Sequence, residues 1–310
     1  MIVVKTQSHS TPKPKTLKLK SYTILLAACF LLAGCHKKPG TNNAVSSDSM
    51  ETQAPSLTFD TIGFHDHPDN EPSLSIDLSL ALPMVDKENP VAGLLRKHII
   101  SDVLGEQYSK ENNATDAIAA YVANLQTAFG STVSDYEEDK ELIESEGMSY
   151  MYKWEATVRG TVNMYNPPLL VYEADYFDYQ GGVHGMFADC YMLYSTITGK
   201  RLKLADIFAG DKQSLDAMTA ILYKCLQYHI AHDEEYDGME IFDMETVKPN
   251  DNFSISPEGF TFYFQPYEIA AYCYGVVAVK VPVSELLPYM LAGTEVATYF
   301  ESTQQLAAKN

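Results

Sequence analysis

His184 has the most suggestive setting of any residue able to do chemistry in this chain. It lies in Gly181-Gly182-Val183-His184-Gly185, between one aromatic stretch ending at Tyr179 and another starting at Ala188. Imidazole ordinarily titrates near neutrality, so a histidine here can act as a general acid or base. Asp175, Asp178 and Asp189 are the nearby carboxylates that would complete such a site. A structural role competes with the catalytic one. Glycines in this setting allow positive φ or close backbone approach, and ring nitrogens can satisfy backbone groups. The structural role is preferred for His184, which stays the one candidate acid–base residue.

Other constellations are incomplete. Thr58 to Thr61 (TFDT) resembles the start of the metal-binding signature of polysaccharide deacetylases, but the only close histidines are His65 and His67. With Asp69 and Glu71 they read as a polar loop before a strand, able at most to hold a metal weakly. Asp233, Glu235, Asp237 and Gly238 fall on calcium-loop positions, but the closing bidentate glutamate is replaced by Met244. His229 and His232 lack a HExxH frame, and no nucleophile elbow, P-loop or dinucleotide fingerprint is present. No metal and no cofactor is implied. Beyond Cys35 the cysteines are Cys190, Cys225 and Cys273, an odd set at wide spacing, so one disulfide or three thiols both remain open.

The N-terminal segment points to a compartment. Lys5, Lys13, Lys15, Lys18 and Lys20 precede an apolar run from Tyr22 to Ala33. That run is about a dozen residues, short of the roughly 20 that span a bilayer, and reads as a secretory signal. Leu32-Ala33-Gly34-Cys35 resembles the lipobox of bacterial lipoproteins. The resemblance implies cleavage after residue 34 and lipidation of Cys35, which would anchor the chain to a membrane in the bacterial cell envelope, facing periplasm or cell exterior. Residues 35–56 read as a polar tether. The formal net charge is −19, and loss of a lysine-bearing signal would leave the chain more acidic still. Such a surface repels phosphate backbones, excludes nucleic acid as a partner and suits a cationic one.

The elements that must position these residues follow from periodicity. Leu74, Ile76, Leu78, Leu80 and Leu82 alternate with smaller or polar residues, a strand with one buried face. Residues 91–104 and 115–129 have helical spacing, the first behind Asn89-Pro90 and the second ending at Gly130. Residues 135–147 are acidic and expected to be exposed. Strands are expected at 148–164 (with Tyr150, Tyr152, Trp154, Ala156 and Val158 on one face), 169–179 and 188–197. A helix at 214–232, a hairpin across Ser256-Pro257-Glu258-Gly259 and a strand at 276–281 complete the pattern. Strands grouped around a few helices, without βαβ alternation, predict an α+β fold with antiparallel sheet. The halves are expected at 57–180 and 181–293, with 294–310 as a tail.

From Tyr172 to Phe208 the marks are an aromatic strand, the Gly-Gly-x-His-Gly turn, a strand closing at Thr198-Gly199-Lys200, and Leu202-x-Leu204-x-Asp206-Ile207-Phe208. From Pro257 to Leu286 come an aromatic hairpin, Tyr267-Glu268-Ile269-Ala270, Gly275 and a valine-rich strand. This combination resembles the PdaC/RsiV-like family of extracytoplasmic domains of unknown function. The resemblance implies an α+β envelope module. It makes Gly181, Gly182, His184, Gly185, Gly199, Tyr267, Glu268 and Gly275 family-motif positions. The function expected is non-catalytic binding of a protein or a cell-wall glycan. The alternatives are a wall hydrolase or deacetylase-type enzyme using His184, and a sensor or inhibitor of a cationic lysozyme.

Overall fold

The computed structural model describes residues 56–85, 89–111 and 113–307. The signal segment, Cys35 and nearly all of the tether lie outside the described residues. The elements are β1 (Phe59–Asp66), β2 (Ser73–Pro83), α1 (Pro90–Leu104), α2 (Ala114–Ser145), β3 (Lys153–Asn166), β4 (Leu169–Tyr179), β5 (Met186–Ser195) and β6 (Arg201–Leu202). They continue as α3 (Leu204–Ile207), α4 (Lys212–His232), β7 (Phe253–Ser256), β8 (Gly259–Phe264), β9 (Val277–Pro282), α5 (Val283–Leu286) and α6 (Glu295–Ala307). Strands β1 to β6 form one sheet in sequence order, and β7 to β9 form a second, antiparallel sheet. The first sheet is antiparallel except where β2 and β3 run parallel, with α1 and α2 in the connection. The fold is therefore mixed α+β.

Alternation along the strands builds two cores on opposite faces of the first sheet. Even-numbered residues of β2, β4 and β5, among them Leu78, Leu80, Tyr172 and Tyr194, pack with α1 and α2. Each such leucine, fully removed from water, contributes about 1.5–3 kcal/mol. The odd-numbered Leu169, Val171 and Leu193 face the other way and meet Met218, Leu222 and Leu226 of α4 and the inner residues of β7 to β9. Asn113 caps α2 by accepting from the Asp116 N–H at 3.0 Å, and Asp211 caps α4 through the Ser214 N–H at 3.0 Å. Asn89 stands at the start of α1 without a side-chain cap bond, ahead of Pro90 in the first turn.

Several expectations need correction. The polar loop expected around His65 is the end of β1, an edge strand whose Phe59, Ile62 and Phe64 lean on the first core. Its thin apolar pattern is what an edge tolerates. Helix α2 does not stop at Gly130 but continues across a kink at Asp139 and reaches Ser145, because Tyr136 and Ile143 bury a small cluster with Tyr152. The strand expected from Met148 begins at Lys153, and Tyr150 is exposed in a short 3-10 segment, Ser149–Tyr152, rather than on the Trp154 face. The boundary drawn at 180/181 falls in the turn between two paired strands, so it divides neither sheet nor core. Residues expected as a tail form α6, which buries Val296, Tyr299 and Phe300 in the second core.

Candidate functional site: an aromatic platform and a cleft joined by the glycine turn

The turn between β4 and β5 is shaped by what it touches. Gly181 has φ 84°, and a Cβ there would lie 2.3 Å from the Met151 carbonyl oxygen. Only glycine permits both that backbone angle and that approach. Gly185 has ordinary φ, but a Cβ would lie 2.4 Å from the Phe177 ring. The turn is thereby pressed onto the 3-10 segment on one side and onto β4 on the other. At its tip Val183 is 98% exposed and His184 is exposed.

His184 is not among the residues lining the cleft described below. Its Nδ1 donates to the Gly185 carbonyl at 2.8 Å, and its ring stacks on Tyr272 with centroids 4.3 Å apart. The Tyr272 hydroxyl donates to the same carbonyl at 2.8 Å. Phe187 meets Tyr272 edge-on at 5.4 Å, and Tyr267 lies 5.5 Å from it. The result is a surface platform of Val183, His184, Tyr267 and Tyr272. Tyr267 is half-exposed and sits at φ 69°, the one non-glycine residue at positive φ among those described. For a non-glycine residue that conformation costs about 1–2 kcal/mol.

Most of the motif positions meet here. Glu268 accepts from the Gln265 N–H at 2.7 Å and so fixes the turn after β8. Burial raises the Glu268 pKa, with the Gln265 bond opposing. Gln265 in turn clasps β5: its amide donates to the Asp189 carbonyl at 2.7 Å and its oxygen accepts from the Asp189 N–H at 3.1 Å. Asn252 adds a bond to the same carbonyl at 2.9 Å and accepts from the Tyr191 N–H at 2.6 Å. Two side-chain amides thus stand in for a neighbouring strand, since β6 pairs only at Leu193 and Tyr194. Gly275, at φ 66°, comes close to the Phe187 ring. Gly199 is apart from this group, beyond the far end of β5, where its carbonyl accepts from His98 Nδ1 at 2.6 Å.

The three aspartates considered beside His184 are not gathered around it. Asp175 and Asp178 lie three apart on β4 and so project from opposite faces of the sheet. Asp178 is held by the Gln180 amide at 2.9 Å. Asp175 and Asp189 are cross-strand neighbours on the face away from α1 and α2. Burial pushes the Asp189 carboxyl up to about 6, and Asp175 and Glu173 add to that. Burial and Glu173 also raise Asp175, with Arg159 opposing. His65 pairs with Asp77 at 2.8 Å across β1 and β2. Among the described residues no three histidine, cysteine or acidic side chains are grouped to hold a metal. Cys225 and Cys273 are free thiols.

A cleft of about 440 Å³ opens on the other side of the turn. It is lined by Pro68 and Asp69, by Ser73 and Ser75 of β2, by Tyr150, by Lys153, Trp154 and Glu155 of β3, and by Tyr179. The parallel register sets Ser73 beside Lys153 and Ser75 beside Glu155. Tyr179 donates to the Gly182 carbonyl at 3.1 Å, and Gly181 rests on Met151 next to Tyr150, so the glycine turn supports both tyrosine walls. Sequence reasoning missed the cleft because Tyr150 was assigned to the strand. It missed the Gln265 and Asn252 clasp because neither belongs to any spaced pattern.

Comparison with known proteins agrees with this architecture. Residues 205–284 match a family described as a protein of unknown function, DUF3298. A crystal structure of a DUF3298 member from Bacteroides fragilis is similar at TM-score 0.68 and 25% identity, over 80% of this chain and 99% of that one. A DUF3298 family protein from Pseudomonas aeruginosa shares the fold at TM-score 0.51 and 15% identity, over 77% and 96%. No curated protein matches the chain in sequence. The matched segment includes Tyr267, Glu268 and Gly275 but begins after the glycine turn, which meets it only in space. Residues 205–284 thus match the DUF3298 family, in a chain whose fold is similar to that of solved members.

Proposed function

We propose that this chain is a PdaC/RsiV-like lipoprotein of the bacterial cell envelope, anchored through Cys35, that binds a protein or wall glycan without catalysis. The observation that carries the reading is Tyr267. A half-exposed aromatic held in left-handed backbone beside Tyr272 and His184 lowers stability and adds nothing to either core. Strain of that kind fits a surface kept for recognition, and aromatic faces suit both protein and sugar partners. His184 supports the same reading, because its ring is engaged by Gly185 and Tyr272 rather than by a carboxylate. No helix among the described residues is long and apolar enough to cross a membrane, so in this reading attachment falls to the lipid.

The test is co-sedimentation of the soluble chain with insoluble peptidoglycan, alongside an assay for released fragments and acetate. Saturable retention without release is expected. Tyr267→Gly removes the ring and relieves the backbone, so it is expected to lose at least tenfold in retention while keeping its thermal midpoint. Turnover that disappears in folded His184→Ala would instead establish an enzyme. Radiolabelled palmitate should enter the full chain and not Cys35→Ser.

The acidic face favours a second reading. Glu173, Asp175 and Asp189 share one side of the sheet, and two of them hold protons more tightly than usual. A cationic protein such as a lysozyme would relieve that crowding. Its binding should weaken steeply with salt, and equal affinity at low and high salt would exclude this mode.

A further inference from the structure

We propose that the cleft between β2, β3 and the end of β4 is a binding site for a neutral saccharide of about disaccharide size. The proposal rests on the binding-module reading above and adds to it a second site, apart from the Tyr267 platform, with its own ligand class.

The lining selects by charge. Lys153 faces the cleft with its ammonium 2.8 Å from the Glu71 carboxylate, while Asp69 and Glu155 line the same space. An anion would meet Asp69 and Glu155 and compete with Glu71 for Lys153. A cation would meet Lys153, but Glu71 offsets that charge, so a cation is disfavoured only weakly and is a competing outcome of the test. A polyhydroxylic ligand suffers neither penalty. Its hydroxyls can donate to the two carboxylates and accept from Lys153 and from the Ser73 and Ser75 hydroxyls. Tyr150 and Tyr179 supply apolar walls of the kind that take the C–H face of a sugar ring. The volume falls within the ~300–1,000 Å³ usual for small-ligand sites. Tyr150 is 57% exposed, so the wall it forms is open to solvent.

Trp154 borders the cleft but its indole is buried against Phe129 in the first core, so binding is read by titration calorimetry. The soluble chain would be titrated with chitotetraose, cellotetraose, tetralysine and inorganic phosphate. A saturable change with at least one tetrasaccharide is expected, weakened at least tenfold in Tyr150→Ala and in Glu155→Gln. Leu215→Ala, on a remote exposed position of α4, should bind as the parent does. No response to either tetrasaccharide, a response to tetralysine or phosphate alone, or saccharide binding indifferent to both cleft variants would overturn the proposal. Retention on peptidoglycan that is unchanged in both cleft variants would sink the cleft and leave the binding reading standing. Shortened oligosaccharides in the mixture, with the cleft variants still weakening binding, would sink the non-catalytic reading and leave the cleft.

Discussion

Asp189 illustrates how position sets the charge of a single side chain. Its folded pKa, about 6, is raised by burial and by Asp175 and Glu173, whereas in an unfolded chain an aspartate titrates at ~3.9. The folded state therefore binds this proton more tightly. The resulting stabilisation is fully present below the unfolded pKa and is lost as pH rises through about 6. Discounted for a side chain still partly in water, the cost of ionisation at neutral pH is about 1 kcal/mol. Asp189→Asn is thus expected to stabilise the fold by about that amount at pH 7.5, with the gap closing by pH 4 in paired urea titrations. A gap independent of pH would refute the assignment. His184 marks the limit of reading at this scale. Its neighbours in sequence suggested acid–base chemistry, but its role is set by Tyr272, which only folding brings alongside.

At the scale of elements, legibility tracked burial. Strand β2 was visible because a buried face imposes alternation on it, and β4 because it is aromatic and β-branched. Edge strand β1 and the second half of α2 were not, since each buries only a few side chains. The paired motifs were legible as a set but not as a place, because nothing in the chain shows that Gln265 and Asn252 draw β8 onto β5. Helix α6 was missed although Val296 and Phe300 carry helical spacing. Phe300 is fully buried, 5.4 Å from Phe260. Phe300→Ala is expected to destabilise by about 3–5 kcal/mol in urea denaturation. A loss under about 1 kcal/mol would mean that α6 is not part of the second core.

The whole molecule is organised around one sheet with a core on each face, and β4 and β5 serve both. Neighbouring strands in β3, β4 and β5 are joined by short turns, so their pairing is local. The parallel pairing of β2 with β3 is different. It requires the connection from Pro83 to Lys153, with α1 and α2 inside it, to close first. Long closures lose more chain entropy, and contacts distant in sequence form slowly. Folding therefore has an expected order, in which the β3–β5 meander precedes the docking of β2. In stopped-flow refolding the Trp154 signal, which also needs Phe129 of α2 at 5.4 Å, should lag the far-ultraviolet dichroism. A single shared rate would argue for concerted assembly. Ser73 and Ser75 come from the late strand and Lys153 and Glu155 from an early one, so the cleft is finished last. A newly made chain would then have most of its structure before it has a place for a ligand.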